Sequence, residues 1–211
     1  MLTEVQQDAL AELLLIGVGR ATAALSTLVG KRIEMHTPQV KVVPVSELKQ
    51  ALEALSDGEL ATVHQLFSGQ IAGNALLALR SDDARRLLTI LLKSEPPRDG
   101  FRALDRDVLI EIGNVLLGAC LGTLGNVLDV HFSFSVPQLR WDALEDLVTT
   151  LRVEREPLCY AIVISGCLRI VEEEIEGYIV VILGLPSLKR FLQALVQAEL
   201  LPPGEEHVPK P

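Results

Sequence analysis

The stretch Asp107-Val108-Leu109-Ile110-Glu111-Ile112-Gly113-Asn114, continuing through Val115, Leu116, Leu117 and Gly118, sets polar groups into an otherwise apolar run. At 3.6 residues per turn, Asp107, Glu111, Asn114 and Gly118 share one stripe of a helix whose other positions are mostly apolar. The stripe places a carboxylate beside an amide. Glu111 offers an acceptor-only charge and Asn114 both accepts and donates, a pair able to grip a cation or orient a water molecule. Alone, a Glu and an Asn three apart on a helix are ordinarily a solvated face.

The surroundings change that weighting, because the chain repeats itself 99 residues apart. Asp8, Leu10, Glu12, Gly19 and Leu25 stand opposite Asp107, Leu109, Glu111, Gly118 and Leu124, and Pro38-Gln39 stands opposite Pro137-Gln138. The offset then drifts: the segment from Ser46 to Leu52 resembles that from Asp142 to Val148, and Gly73 to Leu79 resembles Gly177 to Leu183. A period this long is too long for a solenoid unit and suits two fused half-domains. Where the second copy has Asn114 the first has Leu15, so the first half keeps Glu12 and lacks the amide.

Hydrophobic periodicity and turn residues give the elements of each half. In the first half they predict a helix from Glu4 to Val29, a strand from Arg32 to Val43 with a proline-marked irregularity, and a short helix from Ser46 to Leu55 capped by Ser46. Strands from Leu60 to Ser68 and Ile71 to Leu79 follow, turning at Gly69-Gln70, and then a helix from Asp82 to Lys93. In the second half they predict a helix from Asp105 to Leu128, strands Val130 to Leu139, Cys159 to Val171 and Ile175 to Leu183, and a helix from Ser187 to Leu200. The fold expected is α/β: a pseudo-two-fold repeat of helix-strand halves, with a largely antiparallel sheet and the long helices packed on one face. It forms a single domain over residues 1–200, with repeats of about 1–95 and 105–200, and a disordered tail over 201–211.

Composition bounds the function. The 211 residues are 49% hydrophobic, with net charge −9 and pI near 5.0, which argues against a general nucleic-acid binder. The basic stretch Arg85, Arg86, Lys93, Arg98, Arg102 and Arg106 reads as a solvated face around the junction between halves. Cys120, Cys159 and Cys167 lack metal-ligand spacing and read as reduced thiols of a cytoplasmic protein. The four histidines show no paired ligand spacing either. No secretory signal opens the chain, and its apolar runs are too short to span a bilayer. Leu13-Leu14-Leu15-Ile16-Gly17-Val18-Gly19, with Glu34 farther on, imitates a dinucleotide-binding turn, but the third glycine is Thr22.

The pattern Asp-x-x-x-Glu-x-x-Asn at Asp107, Glu111 and Asn114, followed by Gly118 and set in two repeated halves, resembles the CheC/CheX family of chemotaxis phosphatases, and in its two halves CheC in particular. The resemblance covers nearly the whole chain. It implies hydrolysis of the aspartyl phosphate of a CheY-like response regulator, with Asn114 orienting the attacking water and Glu111 pairing with the regulator's active-site lysine. The regulator would supply Mg²⁺ and the phosphorylated Asp, leaving this chain with no metal of its own. Glu12 and Leu15 then mark a degenerate first site. Asp107 is either a helix-start charge or a partner contact, and Gly118 permits close approach of the neighbouring helix or of the partner. The same resemblance admits a CheD-type deamidase as a partner, and a non-catalytic adaptor as the alternative function.

Overall fold

Thr3 starts the first helix. Its hydroxyl accepts a hydrogen bond from Gln6 N (3.2 Å) while the Gln6 side chain accepts one from Thr3 N (3.0 Å), satisfying donors that a helix start leaves unpaired. The helix, α1, runs Glu4–Val29 and ends at Gly30, whose φ of 66° is the left-handed conformation glycine adopts at low cost. The computed structural model describes residues 3–55, 58–97, 100–151, 159–170 and 173–206. Its other elements are β1 (Ile33–Pro44), α2 (Leu48–Ala51), β2 (Leu60–Gly69), β3 (Gly73–Arg80), α3 (Ser81–Leu92), α4 (Ala103–Leu128), β4 (Phe132–Phe134), β5 (Gln138–Asp142), α5 (Leu144–Leu151), β6 (Cys159–Ile170), β7 (Glu173–Gly184) and α6 (Leu185–Gln197).

The strands form one antiparallel sheet in the order β1-β6-β7-β3-β2-β4, with β5 continuing β4 along β2. Its register fits the two-fold arrangement. Gly69, Phe67, His64 and Leu60 of β2 pair with Phe132, Phe134, Gln138 and Asp142. At the other edge Ile170, Leu168, Ser165 and Ala161 of β6 pair with Ile33, Met35, Gln39 and Val43 in the same sequence of steps. At the centre Leu77 pairs with Ile179, and exchanging the halves maps that pair onto itself.

Alternation along the strands gives the sheet two apolar faces. Ala61, Val63 and Phe67 look toward α1, α3, α4 and α6, whose buried residues form the larger core. Leu60, Leu76, Ala78 and Val180 look the other way, onto Leu48, Leu52, Leu144 and Leu147 around α2 and α5. Helices α1 and α4 bury Leu10, Leu13, Leu14 and Val18, and Leu109, Ile112, Leu116 and Leu117, at helical spacing. They meet at Gly17, where an added Cβ would lie 3.1 Å from Cys120 O. By length and composition both helices suffice to cross a bilayer, against the sequence expectation, and 50% and 56% of their most apolar windows are buried within the domain.

The structure departs from the sequence reading at several points. Ser46 makes no cap bond, because Pro44 ends β1 and a tight turn begins at once at Val45, enclosing Ser46. The strand expected over 130–139 divides into β4 and β5 around Pro137, which has no N–H for the ladder. The helix α5 occupies the segment that resembles Ser46 to Leu52. In the expected tail, residues 202–206 form turns in which Glu205 accepts from the Thr3 hydroxyl (2.9 Å) and from the Gln6 amide, over a buried Leu201; residues 207–211 lie outside the described residues. Leu13 to Gly19 lies wholly within α1, so the strand and turn of a dinucleotide site are not formed there.

Candidate functional site

The candidate site is set by where α4 begins and where it touches the sheet. Asp105, fully buried, accepts from Arg102 N (2.8 Å) and from the Arg102 guanidinium (2.8 and 3.0 Å). The Arg102 donors hold its carboxyl below the usual range. Asp105 therefore takes the helix-start role that the sequence left open for Asp107, which lies exposed two residues farther on.

Glu111 is exposed and Asn114 half-buried, three apart on the outward side of α4. Between them Ile112 and Gly113 turn inward. A Cβ on Gly113 would meet Val63 of β2 at 2.5 Å, so this turn of the helix lies directly on the strand. At Gly118 an added Cβ meets nothing within 4 Å. The neighbouring helix makes its close approach at Gly17 and Cys120 instead, and Gly118 is left facing outward.

Beneath Asn114 lies a residue the sequence reading passed over. Gln65 of β2 is 4% exposed; its Nε2 donates to Ser135 O at 3.0 Å and, more weakly, to Asn114 Oδ1 at 3.4 Å. Ser135 reaches it through a bulge. Between the Phe67–Phe134 and His64–Gln138 pairs, residues 135–137 stand opposite two residues of β2, an irregularity that re-aims local backbone groups. A signal for Gln65 was present: it shares the inward parity of Ala61, Val63 and Phe67, where a strand facing a core is expected to be apolar. Asn114 Nδ2 and the Glu111 carboxylate make no hydrogen bond or ion pair among the described residues, so both are free to meet an outside group.

In the first half Asp8, Glu12 and Gly19 are exposed on the matching side of α1, and Leu15 replaces the amide at 39% exposure. Leu15 and Gly19 line a groove with Thr22, Arg32, Glu34 and His36. An apolar side chain there has no means to orient water.

The remaining polar clusters have other engagements. Arg85 donates to Pro97 O (2.6 Å) and lies 4.5 Å over the Phe101 ring, which stacks on Trp141 at 4.1 Å. Arg86 pairs with the buried Asp83. Arg98 and His207 lie outside the described residues. Among the described residues no three His, Cys, Asp or Glu side chains gather as metal ligands.

No family model matches the chain. In sequence it is similar to the CheY-P phosphatase CheC of Bacillus subtilis, 26% identical over 143 residues, which are 66% of this chain and 68% of that protein. It is 23% identical over 142 residues to the flagellar motor switch phosphatase FliY of the same organism, covering 65% of this chain and 36% of that longer protein. In structure it is similar to FliY of Thermotoga maritima, with a TM-score of 0.75 at 18% identity, covering 94% of this chain and 99% of that one.

Proposed function

We propose that this chain, a member of the CheC/CheX family by its sequence relatives, hydrolyses the aspartyl phosphate of a CheY-like response regulator through one site, Glu111 and Asn114 on α4. The observation that carries the reading is the uncommitted carboxylate and amide side by side on an outward face, in a chain whose similar proteins are named as phosphatases. The site holds too little chemistry to act alone. It suits a reaction in which the partner brings the phosphoryl group.

Phosphoryl transfer asks a protein chiefly for positioning and electrostatic stabilisation, and an amide is a recurring device for placing an in-line water. Asn114 would enter the regulator's acidic pocket and hold the water. The water oxygen attacks phosphorus, the bond from phosphorus to the aspartyl oxygen breaks, and the products are inorganic phosphate and the regulator's free carboxylate. A neutral amide does this without repelling the phosphoryl group. Glu111 would pair with a lysine of the regulator, fixing the approach. Mg²⁺ is assigned to the regulator, where carboxylates and phosphate oxygens surround it in the manner that ion favours. The first half, with Leu15 at the amide position, is assigned no catalysis. A cytoplasmic location, that of the phosphorylated regulator, belongs to the same proposal.

The test is direct. A CheY-like regulator, phosphorylated by a small-molecule donor in the presence of Mg²⁺, is followed for phosphate release with and without this protein. Accelerated release at catalytic amounts of protein is expected, and equal rates would count against the reading.

A further inference from the structure

We propose that Gln65 is the positioning residue of the site, fixing the orientation of the Asn114 amide; the inference rests on the phosphatase reading above. Gln65 is buried at a core position of β2, where a polar side chain is unfavourable unless its hydrogen bonds are made. Only half of them are. Nε2 donates to Ser135 O and Asn114 Oδ1, while Oε1 is buried with no partner among the described residues. A side chain kept for stability alone would satisfy both ends or be apolar.

The backbone decides which way the two amides face. Ser135 O is a carbonyl and only accepts, so it draws Nε2 of Gln65 toward itself, next to Asn114. That donor commits Asn114 Oδ1 inward and leaves Nδ2 as the free end. An amide otherwise able to flip by half a turn is held in one orientation before a partner arrives, and pre-set geometry is where a water-positioning group gains its effect.

The other half of the molecule supplies an internal control. In the register that relates the halves, β6 places Gly166 where β2 has Gln65, and α1 places Leu15 where α4 has Asn114. Both amides are missing together. A Cβ on Gly166 would lie 2.9 Å from Met35 Cε and 3.3 Å from Met35 Cγ, so Met35 fills the space. The half with the exposed amide has the buried one beneath it, and in the half without the first Met35 stands in the place of the second.

Gln65→Met keeps the length of the side chain and removes its hydrogen bonds. We expect kcat for dephosphorylation of the regulator to fall roughly tenfold with KM unchanged, and no further loss when the change is added to Asn114→Ala. A second measurement needs no variant at Gln65. The side-chain amide protons of Gln65, followed by ¹⁵N NMR in the otherwise intact protein, should shift when Asn114→Ala removes their acceptor. Wild-type kcat in a folded Gln65→Met protein, an equal further loss on the Asn114→Ala background, or unmoved Gln65 amide signals would each overturn the assignment. Should Gln65→Met not fold, the NMR result decides alone. If Asn114→Ala itself keeps full turnover, the phosphatase reading fails; if Asn114→Ala is inactive while Gln65→Met is not, only the role of Gln65 fails.

Discussion

Gly113 lies against Val63: a Cβ built on Gly113 would sit 2.5 Å from Val63 Cγ1 and 2.6 Å from its Cβ. The turn of α4 that carries Glu111 and Asn114 rests on β2 because this position has no side chain. Gly113→Ala should therefore destabilise the protein by about 1–3 kcal/mol through overpacking, outweighing the roughly 1 kcal/mol that alanine gains in a helix. Val63→Gly removes both Cγ1 and the Cβ and should relieve the clash, so the double variant is more stable than the two single effects predict. Urea unfolding of the three variants measures this, and simple additivity would show that the contact yields without cost.

The two halves should differ in activity. Glu12→Ala is expected to leave turnover near wild type and Glu111→Ala to impair it strongly, both proteins remaining folded. Restoring the first-half amide is not enough. Leu15→Asn on an Asn114→Ala background should stay inactive, because Gly166 offers no donor to orient the new amide and Met35 occupies its place. Recovered dephosphorylation in that variant would argue against the need for a supporting residue.

Acid should weaken the start of α4. Because Arg102 lowers the Asp105 carboxyl below its ordinary value, its contribution is present above the unfolded value of about 3.9 and is lost as pH falls through the lower folded value. Asp105→Asn should thus be less stable than wild type at pH 7, with the gap closing toward pH 3. Denaturant unfolding at several pH values reads the difference, and a gap independent of pH would remove the ion pair from the account.

Cys120, buried where α1 and α4 meet, has its thiol pushed up to about 12 by desolvation. The thiolate is the reactive form, so the Cys120 peptide should resist iodoacetamide in the native protein at pH 8 and label once urea is added. Mass spectrometry of the digested protein distinguishes the cases. Native labelling at the rate of an exposed thiol would mean the seam between the helices opens readily.

Most of the architecture was legible because each long helix carries its own period and the halves repeat. The sequence reading ends both α1 and α4 at the observed residue, Val29 and Leu128, and begins α4 two residues late. The alignment of Gly73 with Gly177 is two residues out of step with the sheet, which pairs Leu79 with Gly177 and thereby relates Ala75 to Gly177. Two strands of alternating apolar residues look alike at any even shift, and only the ladder chooses between them. Glu111 and Asn114 stood out because polar residues interrupt an apolar run. Gln65 did not, since it lies on a strand 49 residues before Asn114 and only the fold brings the two amides together. Asp107 drew the helix-start reading that belongs to Asp105, because caps are fixed by where the backbone begins to turn.

The measurement that bears most directly on the central claim is the rate of phosphate release from a phosphorylated CheY-like regulator with wild-type protein and with Asn114→Ala, alongside the thermal unfolding of each. Asn114 contributes little to the core, so unfolding should be nearly unchanged while turnover falls on the order of a hundredfold, the scale of losing one oriented hydrogen-bonding group at a reacting centre. Near wild-type turnover in a folded Asn114→Ala protein would contradict the account.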